Sequence, residues 1–447
     1  MIIIVCILLS AQILVLGWIL ISDLFDARNE ALTMKSLFIA GYILFQPGSA
    51  LFTFLTGEDD VVAPDDIASA GLVFAIMSWV FMSLFLWFYG TAKPMARLAA
   101  RPGWFHYISD WGLLATALAC LVGGIVMRDV IGPVPIIGAL TIMLSAGFFA
   151  AACGTSAWGW ARDPSNPVKA IGGAVIIVAT AVALLQNSFS RRGLIAAVFC
   201  IVWAAYFARW RAGSRTALVG RALMVGLIGL VFVLFQSASR GEKGRGGTAD
   251  EYLESFTRVD LRDLGEVALS MTSGQFAGVN SMWLIETFPS QHAYWPLHSL
   301  RYFITQPIPR ILWEGKPWSL GNEMVHLVGV TGVKRDEFSL GCGIIGHIAV
   351  DIPFIALPLY AFMIAWALRY LDDRCAFWAG DPFIIIPISA ATSQILGLAR
   401  GELGLFAFNA LAWSVGGWLG VRLVGMAFWR KEVYEPIPFN TEHNEPL

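Results

Sequence analysis

Residues 294–321 read YWPLHSLRYFITQPIPRILWEGKPWSLG, the densest mixture of cationic, aromatic and proline residues in the chain. The passage lies inside a long segment, 237–342, that separates two groups of long apolar runs. Arginine and lysine bind anions, and tryptophan and tyrosine suit the faces of sugar rings and the headgroup level of a membrane. The passage therefore predicts a binding surface, and the apolar runs on either side predict the scaffold that holds it.

The composition is that of a polytopic membrane protein. Of the 447 residues, 57% are hydrophobic and only 14% are charged, and the mean hydropathy is +0.67. This composition makes membrane lipid an expected partner. The net charge of −2 gives no reason to expect nucleic acid as a partner. The six cysteines are scattered, and they predict neither a disulfide framework nor a zinc site.

A membrane-spanning helix needs about 20 apolar residues, and eleven runs approach this length. They lie at 1–21, 34–55, 67–90, 109–127, 134–158, 170–188, 193–208, 218–237, 343–368, 383–399 and 403–428. The first run has no basic residue before it and no small-residue cleavage site after it, so we expect it to be a span and not a signal peptide. The predicted fold class is all-α, a polytopic membrane helix bundle of about 11 transmembrane helices with one large periplasmic loop domain.

The lysines and arginines predict the orientation, because short cytoplasmic loops retain them. Sixteen lie in one set of alternate loops and four in the other, which puts the long loop and the N-terminus outside and the C-terminus inside. The expected location is a bacterial inner membrane. The predicted domains are eight spans in 1–237, the partly helical periplasmic loop 238–342, three spans in 343–428, and a cytoplasmic tail, 429–447.

Four arginines on the predicted outer face are exceptions to this charge distribution. Arg191 and Arg192 lie at the tip of one tight hairpin, Arg400 lies at the tip of another beside Glu402, and Arg240 follows the span that enters the long loop. One such arginine is explained by its charge reaching the membrane surface. Four of them beside a basic, aromatic loop indicate a shared anionic ligand.

The long loop is expected to be partly helical. Thr248 and Glu251 have the spacing of a capping box, and two further helical stretches are predicted at 261–271 and 275–287. Five prolines from Pro289 onward interrupt regular structure. We expect this second half to be an ordered, irregular segment held against the helix bundle.

The runs FITQPIPRILWEGKP (303–317) and SLGCGIIGHIAVDIP (339–353) carry a family resemblance. With the number of spans and the large late loop, they resemble the O-antigen polymerase family, whose external loop carries an isoleucine-proline-arginine, tryptophan, lysine-proline run before a glycine-rich return to the membrane. His347 departs from the family pattern, because an acidic residue is expected after that glycine.

The resemblance implies a glycosyltransferase that works on the periplasmic face. The growing glycan, carried on undecaprenyl pyrophosphate, would be transferred to a sugar hydroxyl of the next lipid-linked repeat unit. The implied partners are this lipid-linked oligosaccharide, as donor and as acceptor, and a chain-length regulator protein. No cofactor is implied, and we expect the reaction to be independent of metal ions.

Two sets of residues are the candidates for this chemistry. Guanidinium and ammonium groups would hold the pyrophosphate and stabilise the charge that develops as it leaves, while a histidine or carboxylate takes the proton from the acceptor hydroxyl. The substrate-binding candidates are Arg191, Arg192, Arg240, Arg301, Arg310, Trp313, Lys316 and Arg400. The catalytic candidates are His298, Glu337, His347 and Glu402, with His292 and His326 behind them.

Three alternatives stay open. The acidic residues of the loop at 56–66 could bind a catalytic metal ion, although a solvated acidic turn is the simpler interpretation. An O-antigen ligase would use the same donor with lipid A core as the acceptor. A flippase or transporter for lipid-linked sugars would favour interrupted helices and ionisable residues deep within the spans.

Overall fold

The computed structural model of the protein describes residues 1–26, 29–57, 62–100, 104–185, 190–238, 276–329, 339–425 and 429–433. The helices are α1 (Ile2–Phe25), α2 (Met34–Ile43), α3 (Ser49–Thr56), α4 (Ile67–Thr91), α5 (Lys93–Ala99), α6 (Asp110–Ile125), α7 (Gly138–Arg162), α8 (Pro167–Leu185), α9 (Ser190–Ala208), α10 (Arg215–Ala238), α11 (Ala277–Thr287), α12 (His298–Thr305), α13 (Leu320–Leu327), α14 (Gly343–Val350), α15 (Pro353–Phe377), α16 (Pro382–Ser389), α17 (Thr392–Gly397) and α18 (Leu403–Gly425). A π-helical turn, Leu44–Gly48, joins α2 to α3, and another, Val126–Ile131, extends α6.

The prediction of a polytopic helical membrane protein is confirmed. In the described part of the chain, 8 helices are long and apolar enough to cross a membrane. They are Ile2–Phe25, Met34–Thr56, Ile67–Thr91, Asp110–Ile131, Gly138–Arg162, Pro167–Leu184, Pro353–Phe377 and Leu403–Leu423. Two shorter apolar helices, Arg192–Ala208 and Pro382–Gly397, and α10 lie at the other three predicted spans. The total of eleven spans stays a prediction.

A small β-sheet is the exception to the all-α prediction. Strands β1 (Trp104–Ile108) and β2 (Trp429–Val433) pair antiparallel, with Trp104 opposite Val433. Part of the predicted C-terminal tail is thus a strand that pairs with the connection between α5 and α6. Strand pairing between distant segments depends on tertiary contacts, which a hydropathy pattern does not contain.

Two predicted spans are interrupted. The run 343–368 was predicted as one helix, but α14 ends before Asp351 and α15 begins at Pro353, because proline has no N–H to continue the helix and restricts the residue before it. The run 383–399 divides into α16 and α17. Near that break the hydroxyl of Thr392 donates to the Ser389 carbonyl at 2.6 Å and competes with the backbone for it.

Helix α7 is the centre of the bundle and is buried over most of its length. Its run of alanines and glycines lets α18 approach closely, as small residues do at helix interfaces in membranes. A Cβ atom built on Gly147 would lie 2.1 Å from the carbonyl oxygen of Trp413, and one on Gly416 would lie 2.1 Å from that of Leu144. The two backbones therefore touch, and neither glycine leaves room for a side chain.

The described part of the long loop is packed into the bundle. The helix predicted at 275–287 is observed as α11, and its residues from Ala277 to Met282 are buried. Asn280 donates a hydrogen bond to the Gly341 carbonyl at 3.1 Å, and Ser281 donates one to the Cys342 carbonyl at 2.8 Å. These bonds join α11 to the chain that enters α14. The predicted helical stretches at 248–258 and 261–271 lie outside the described residues.

Gly147→Leu should destabilise the bundle strongly, because the new side chain must separate the backbones of α7 and α18. Gly226→Leu on α10 is the matched control, since a Cβ atom there meets nothing within 4 Å. We expect a fall of the unfolding temperature in detergent for the first variant and little change for the second. Equal unfolding temperatures would contradict the close contact of α7 and α18.

Candidate functional site

His347 lies in α14, fully buried, and it joins three separate segments. Its Nδ1 atom is 2.8 Å from the hydroxyl oxygen of Ser299 in α12. Its Nε2 atom accepts a hydrogen bond from the backbone N–H of Leu403 at 3.2 Å and is 3.6 Å from Oε2 of Glu402. The His347 side chain therefore connects α14 to α12 of the long loop and to the start of α18.

The Leu403 contact favours one tautomer of His347, whose ring also interacts with the backbone of Gly401. Because Nε2 accepts the Leu403 N–H, the ring proton lies on Nδ1 and donates to the Ser299 hydroxyl. Both ring nitrogens thus already have partners. For His347 to take a substrate proton, Nε2 would have to give up its bond to Leu403, so the geometry favours a positioning role.

A second cluster surrounds Asp351, in the break between α14 and α15. The carboxylate accepts the backbone N–H of His298 at 2.7 Å and that of Ser299 at 3.2 Å, and it also accepts the hydroxyl of Tyr360. It therefore caps α12 at its N-terminus. Ser299 belongs to both clusters, so His347 and Asp351 lie in one continuous polar network.

The His298 ring lies beside this network. It is 5.3 Å from the ring of Trp295 between centroids, and its Nε2 atom is buried without a hydrogen-bond partner among the described residues. Burial lowers the pKa of His298, while the charge of Asp351 acts in the opposite direction. A neutral imidazole with one nitrogen uncommitted is chemically able to accept a proton.

Glu402 is a buried carboxyl between the long loop and the turn that precedes α18. Its Oε2 atom accepts the backbone N–H of Gly321 at 3.1 Å, and the N–H of Leu320 also bonds to the carboxyl. The other oxygen, Oε1, is buried with no hydrogen-bond partner in the described part of the chain. Burial raises the pKa of Glu402 to about 8, against the lowering effect of the two N–H groups. The carboxyl can therefore gain or lose a proton near neutral pH.

An apolar groove of about 450 Å³ runs from this network along the membrane-spanning part of the fold. Helices α15 and α18 form its sides, with residues from Tyr360 to Leu371 and from Leu403 to Ser414. At 1.5 Å per helical residue each side is roughly 16 Å long. Ser299 and Tyr360 line the groove at the end where the polar network lies. The groove thus combines a long apolar part with a polar head.

The two predicted arginine hairpins meet at Phe406. The guanidinium of Arg192 lies 4.4 Å from the centroid of the Phe406 ring. Cβ atoms built on Gly397 and Gly401 would lie 2.1 and 2.3 Å from atoms of the same ring, so Phe406 fills the turn that carries Arg400. The guanidinium of Arg400 lies 5.9 Å from the ring centroid of Phe45. Arg192 and the turn that carries Arg400 therefore both contact the Phe406 ring.

Arg310 and Lys316 stabilise the loop in which they occur. Arg310 donates to the carbonyls of Lys316 and Pro317 at 2.8 and 2.9 Å, and its guanidinium lies 3.4 Å from the centroid of the Trp318 ring. Lys316 is buried and donates to the carbonyls of residues 306 and 308, each at 2.9 Å. Burial lowers the pKa of Lys316, and the charge of Arg310 adds to this effect. Both cations are therefore committed to backbone carbonyls.

The other predicted site residues are dispersed or lie outside the description. Arg301 is exposed on α12, and Trp313 is half-buried in the turn that Arg310 and Lys316 stabilise. Arg240 and Glu337 lie outside the described residues, as does the side chain of Arg191. The backbone N–H of His292 donates to the Thr287 carbonyl. The Nε2 atom of His326 is buried without a hydrogen-bond partner among the described residues.

The acidic loop is partly described. The backbone N–H groups of Asp65 and Asp66 donate to the carboxylate of Glu286 at 2.7 and 2.8 Å, and the Asp66 side chain caps α4 through Ser69. Residues 58–61 lie outside the described part. Among the described residues, no group of three or more histidine, cysteine, aspartate or glutamate side chains has the geometry to hold a metal ion.

Sequence reasoning did not assign Ser299, Asp351 or Tyr360 to the site. A serine in HSL and a tyrosine inside an apolar run carry no chemical signal of their own. Asp351 beside the break at Pro353 was a usable sign, because aspartate is a preferred capping residue at helix termini.

Glu402→Gln should change how stability depends on pH. The pKa of Glu402 is higher in the folded protein than in the unfolded chain, so its stabilising contribution is full at acidic pH and is lost as the pH rises toward 8. As the pH rises from 5 to 9, the unfolding temperature of the variant should therefore fall less than that of the wild type. Thermal unfolding in detergent is the measurement. Glu323→Gln, which changes the net charge equally, should parallel the wild type. If the unfolding temperature of Glu402→Gln depended on pH as that of the wild type does, the raised pKa of Glu402 would be refuted.

Arg310→Ala should loosen the turn without unfolding the bundle. Loss of its charge-assisted hydrogen bonds costs about 2 kcal/mol locally, which corresponds to about thirtyfold faster amide exchange. Hydrogen–deuterium exchange at residues 313 and 316 is the measurement, because their N–H groups donate within this turn. Arg301→Ala removes an exposed arginine and should leave these amides unchanged. Equal protection in both variants would disprove the stabilising role of Arg310.

No protein-family model, no curated protein and no solved structure matches this chain. The resemblance to O-antigen polymerases therefore stands on the residues quoted from the sequence.

Proposed function

We propose that this chain is a membrane glycosyltransferase that polymerises oligosaccharide repeat units carried on undecaprenyl pyrophosphate. The growing glycan is the donor, and a sugar hydroxyl of the next lipid-linked unit is the acceptor. The reaction takes place at the periplasmic end of the helix bundle and does not depend on a metal ion.

The groove between α15 and α18 is the observation that carries this proposal. A polyprenyl-linked sugar has a long apolar tail, an anionic diphosphate and a polar glycan, in that order. The groove offers apolar walls from Leu371 to Tyr360, and then the polar network of Ser299 and Asp351 at its head. The order of the chemical surfaces along the groove matches the order of the groups in the substrate.

The diphosphate is assigned to Arg192, which lies on the Phe406 ring, and to Arg400, whose turn packs on the same ring. Leu403 and Gly404, which follow that turn, line the head of the groove. A guanidinium offers a planar set of donors to phosphate oxygens, and it stays charged near the membrane.

The transfer step needs one proton acceptor. The acceptor hydroxyl oxygen forms a bond to the anomeric carbon of the donor while the bond from that carbon to the pyrophosphate oxygen breaks. The hydroxyl proton goes to the protein, and undecaprenyl pyrophosphate leaves. Glu402 fits this role in its ionised form, because its pKa of about 8 lies near neutral pH and its Oε1 atom has no hydrogen-bond partner among the described residues. His298 is the other residue that fits.

A second candidate function is transport of the same lipid-linked sugars, and one observation favours it. The helix of 382–397 is interrupted between α16 and α17, and beside the break Gln394 is fully buried with neither amide atom hydrogen-bonded among the described residues. Interrupted helices with polar groups at the break are typical of transporters. Lengthening of lipid-linked units by the purified protein in detergent, without a gradient, would separate the two functions.

Filling the groove should abolish polymerisation. Ala407→Trp and Ala367→Trp place a large ring where α18 and α15 line the groove, so the lipid tail of the substrate is excluded. Leu423→Trp on α18 is the control, because Leu423 is exposed on the outer surface of the bundle. We expect lipid-linked units to stay unextended on gels with the first two variants and to be extended normally with the third.

Normal product length in both groove variants would contradict the proposal. The assay contains only lipid-linked repeat units, so any extension is polymerase activity. A protein that acts only after lipid A core is added would instead be a ligase.

A further inference from the structure

Helix α12 carries an outward apolar stripe. Leu297 just before α12, Ile304 within it and Ile308 in the turn after it are exposed apolar side chains, and Arg301 is exposed three residues before Ile304 on the same side of the helix. Ile304 is 62% exposed. The opposite side, with Ser299, is buried in the protein. The turn that follows adds two more apolar side chains, since Ile311 is 72% and Leu312 61% exposed.

The position of this stripe follows from the contacts of the buried side of α12. The N-terminus of α12 is bound to Asp351, two residues before α15 begins. Its body lies on the start of α18, where a Cβ atom on Gly404 would be 2.7 Å from the Ser299 carbonyl oxygen. Helix α12 therefore lies across the ends of two membrane-spanning helices, at the level where those helices begin.

The exposed side chains of Ile311 and Leu312 lie in a turn that hydrogen bonds stabilise. Arg310 and Lys316 bind carbonyl groups within the turn, and the Arg310 guanidinium packs on the Trp318 ring. Ile311 and Leu312 are thus held outward by hydrogen bonds on both sides of the turn. Exposed, fixed apolar side chains in such a number mark a contact surface.

We propose that α12 and the turn through Leu312 lie in the lipid headgroup and upper acyl region of the leaflet that surrounds the starts of α15 and α18. Phe354 in the first turn of α15 is 91% exposed, so the start of this apolar helix, to which Asp351 ties α12, also presents an apolar side chain outward. Arg301 within the stripe can extend its guanidinium to the lipid phosphates, as cationic residues of interfacial helices do. Leu300 and Phe303 line the groove, so the same helix forms its lip.

The test places a polarity-sensitive nitrobenzoxadiazole label on the full-length protein in lipid nanodiscs. Cys6 is the one cysteine that is not buried, so a Cys6→Ser background removes the competing label site. Single cysteines are introduced as Ile304→Cys, Ile311→Cys and Leu312→Cys. Val178→Cys, exposed on a membrane-spanning helix, is the lipid-facing control, and Gln291→Cys, an exposed polar site of the same loop, is the aqueous control.

Nanodiscs containing lipids with a nitroxide quencher on the upper acyl chain should quench the labels at 304, 311 and 312 to an extent comparable with 178 and several-fold more than at 291. Quenching at all three sites equal to that at 291 would overturn the proposal. A second result would also overturn it: labels whose emission is blue-shifted, which the lipid quencher does not quench, and whose emission changes with the number of protein copies per disc. In that case a second copy of the chain would cover the stripe. Neither result depends on glycosyl transfer, so the test is independent of the proposed function.

Discussion

The two hydrogen bonds of the buried His347 ring hold the candidate site together. One joins α14 to Ser299 in α12, and the other joins it to the backbone of Leu403 at the start of α18. Ser299 and Leu403 also line the head of the groove, so the shape of the groove depends on the same bonds. Each bond contributes only about 1 kcal/mol net, but a buried ring nitrogen left without its partner costs about 1–3 kcal/mol. The three segments therefore come together as one unit.

The cations of the candidate site divide into two kinds, which the residue type alone does not distinguish. Arg310 and Lys316 donate hydrogen bonds to backbone carbonyls of an irregular turn and stabilise it. Arg192 lies on an aromatic ring beside the turn of Arg400, near the groove head. The first pair contributes structure on which the site is built. In the proposed function, Arg192 and Arg400 are the pair assigned to the anionic diphosphate of the substrate.

The membrane boundary also explains why the described part of the long loop is ordered. Helix α11 is buried among the membrane-spanning helices, and Glu402 binds the N-terminus of α13. Backbone groups near the lipid cannot rely on water, so they find partners within the protein. The loop therefore behaves as part of the bundle, with α12 lying across the helix ends at the level of the groove head.

The sequence by itself determined that the chain is a polytopic helical membrane protein, and it located the helix at 275–287, because hydropathy and helical periodicity are local properties of the chain. It also singled out His347, Glu402 and the arginine hairpins as unusual residues for their positions. Tertiary structure decided the rest. Only packing brings Ser299 to His347 and Asp351, and only contacts between distant segments pair β1 with β2 and open a groove between α15 and α18. These features depend on which surfaces meet in space, and no local pattern of residues encodes that.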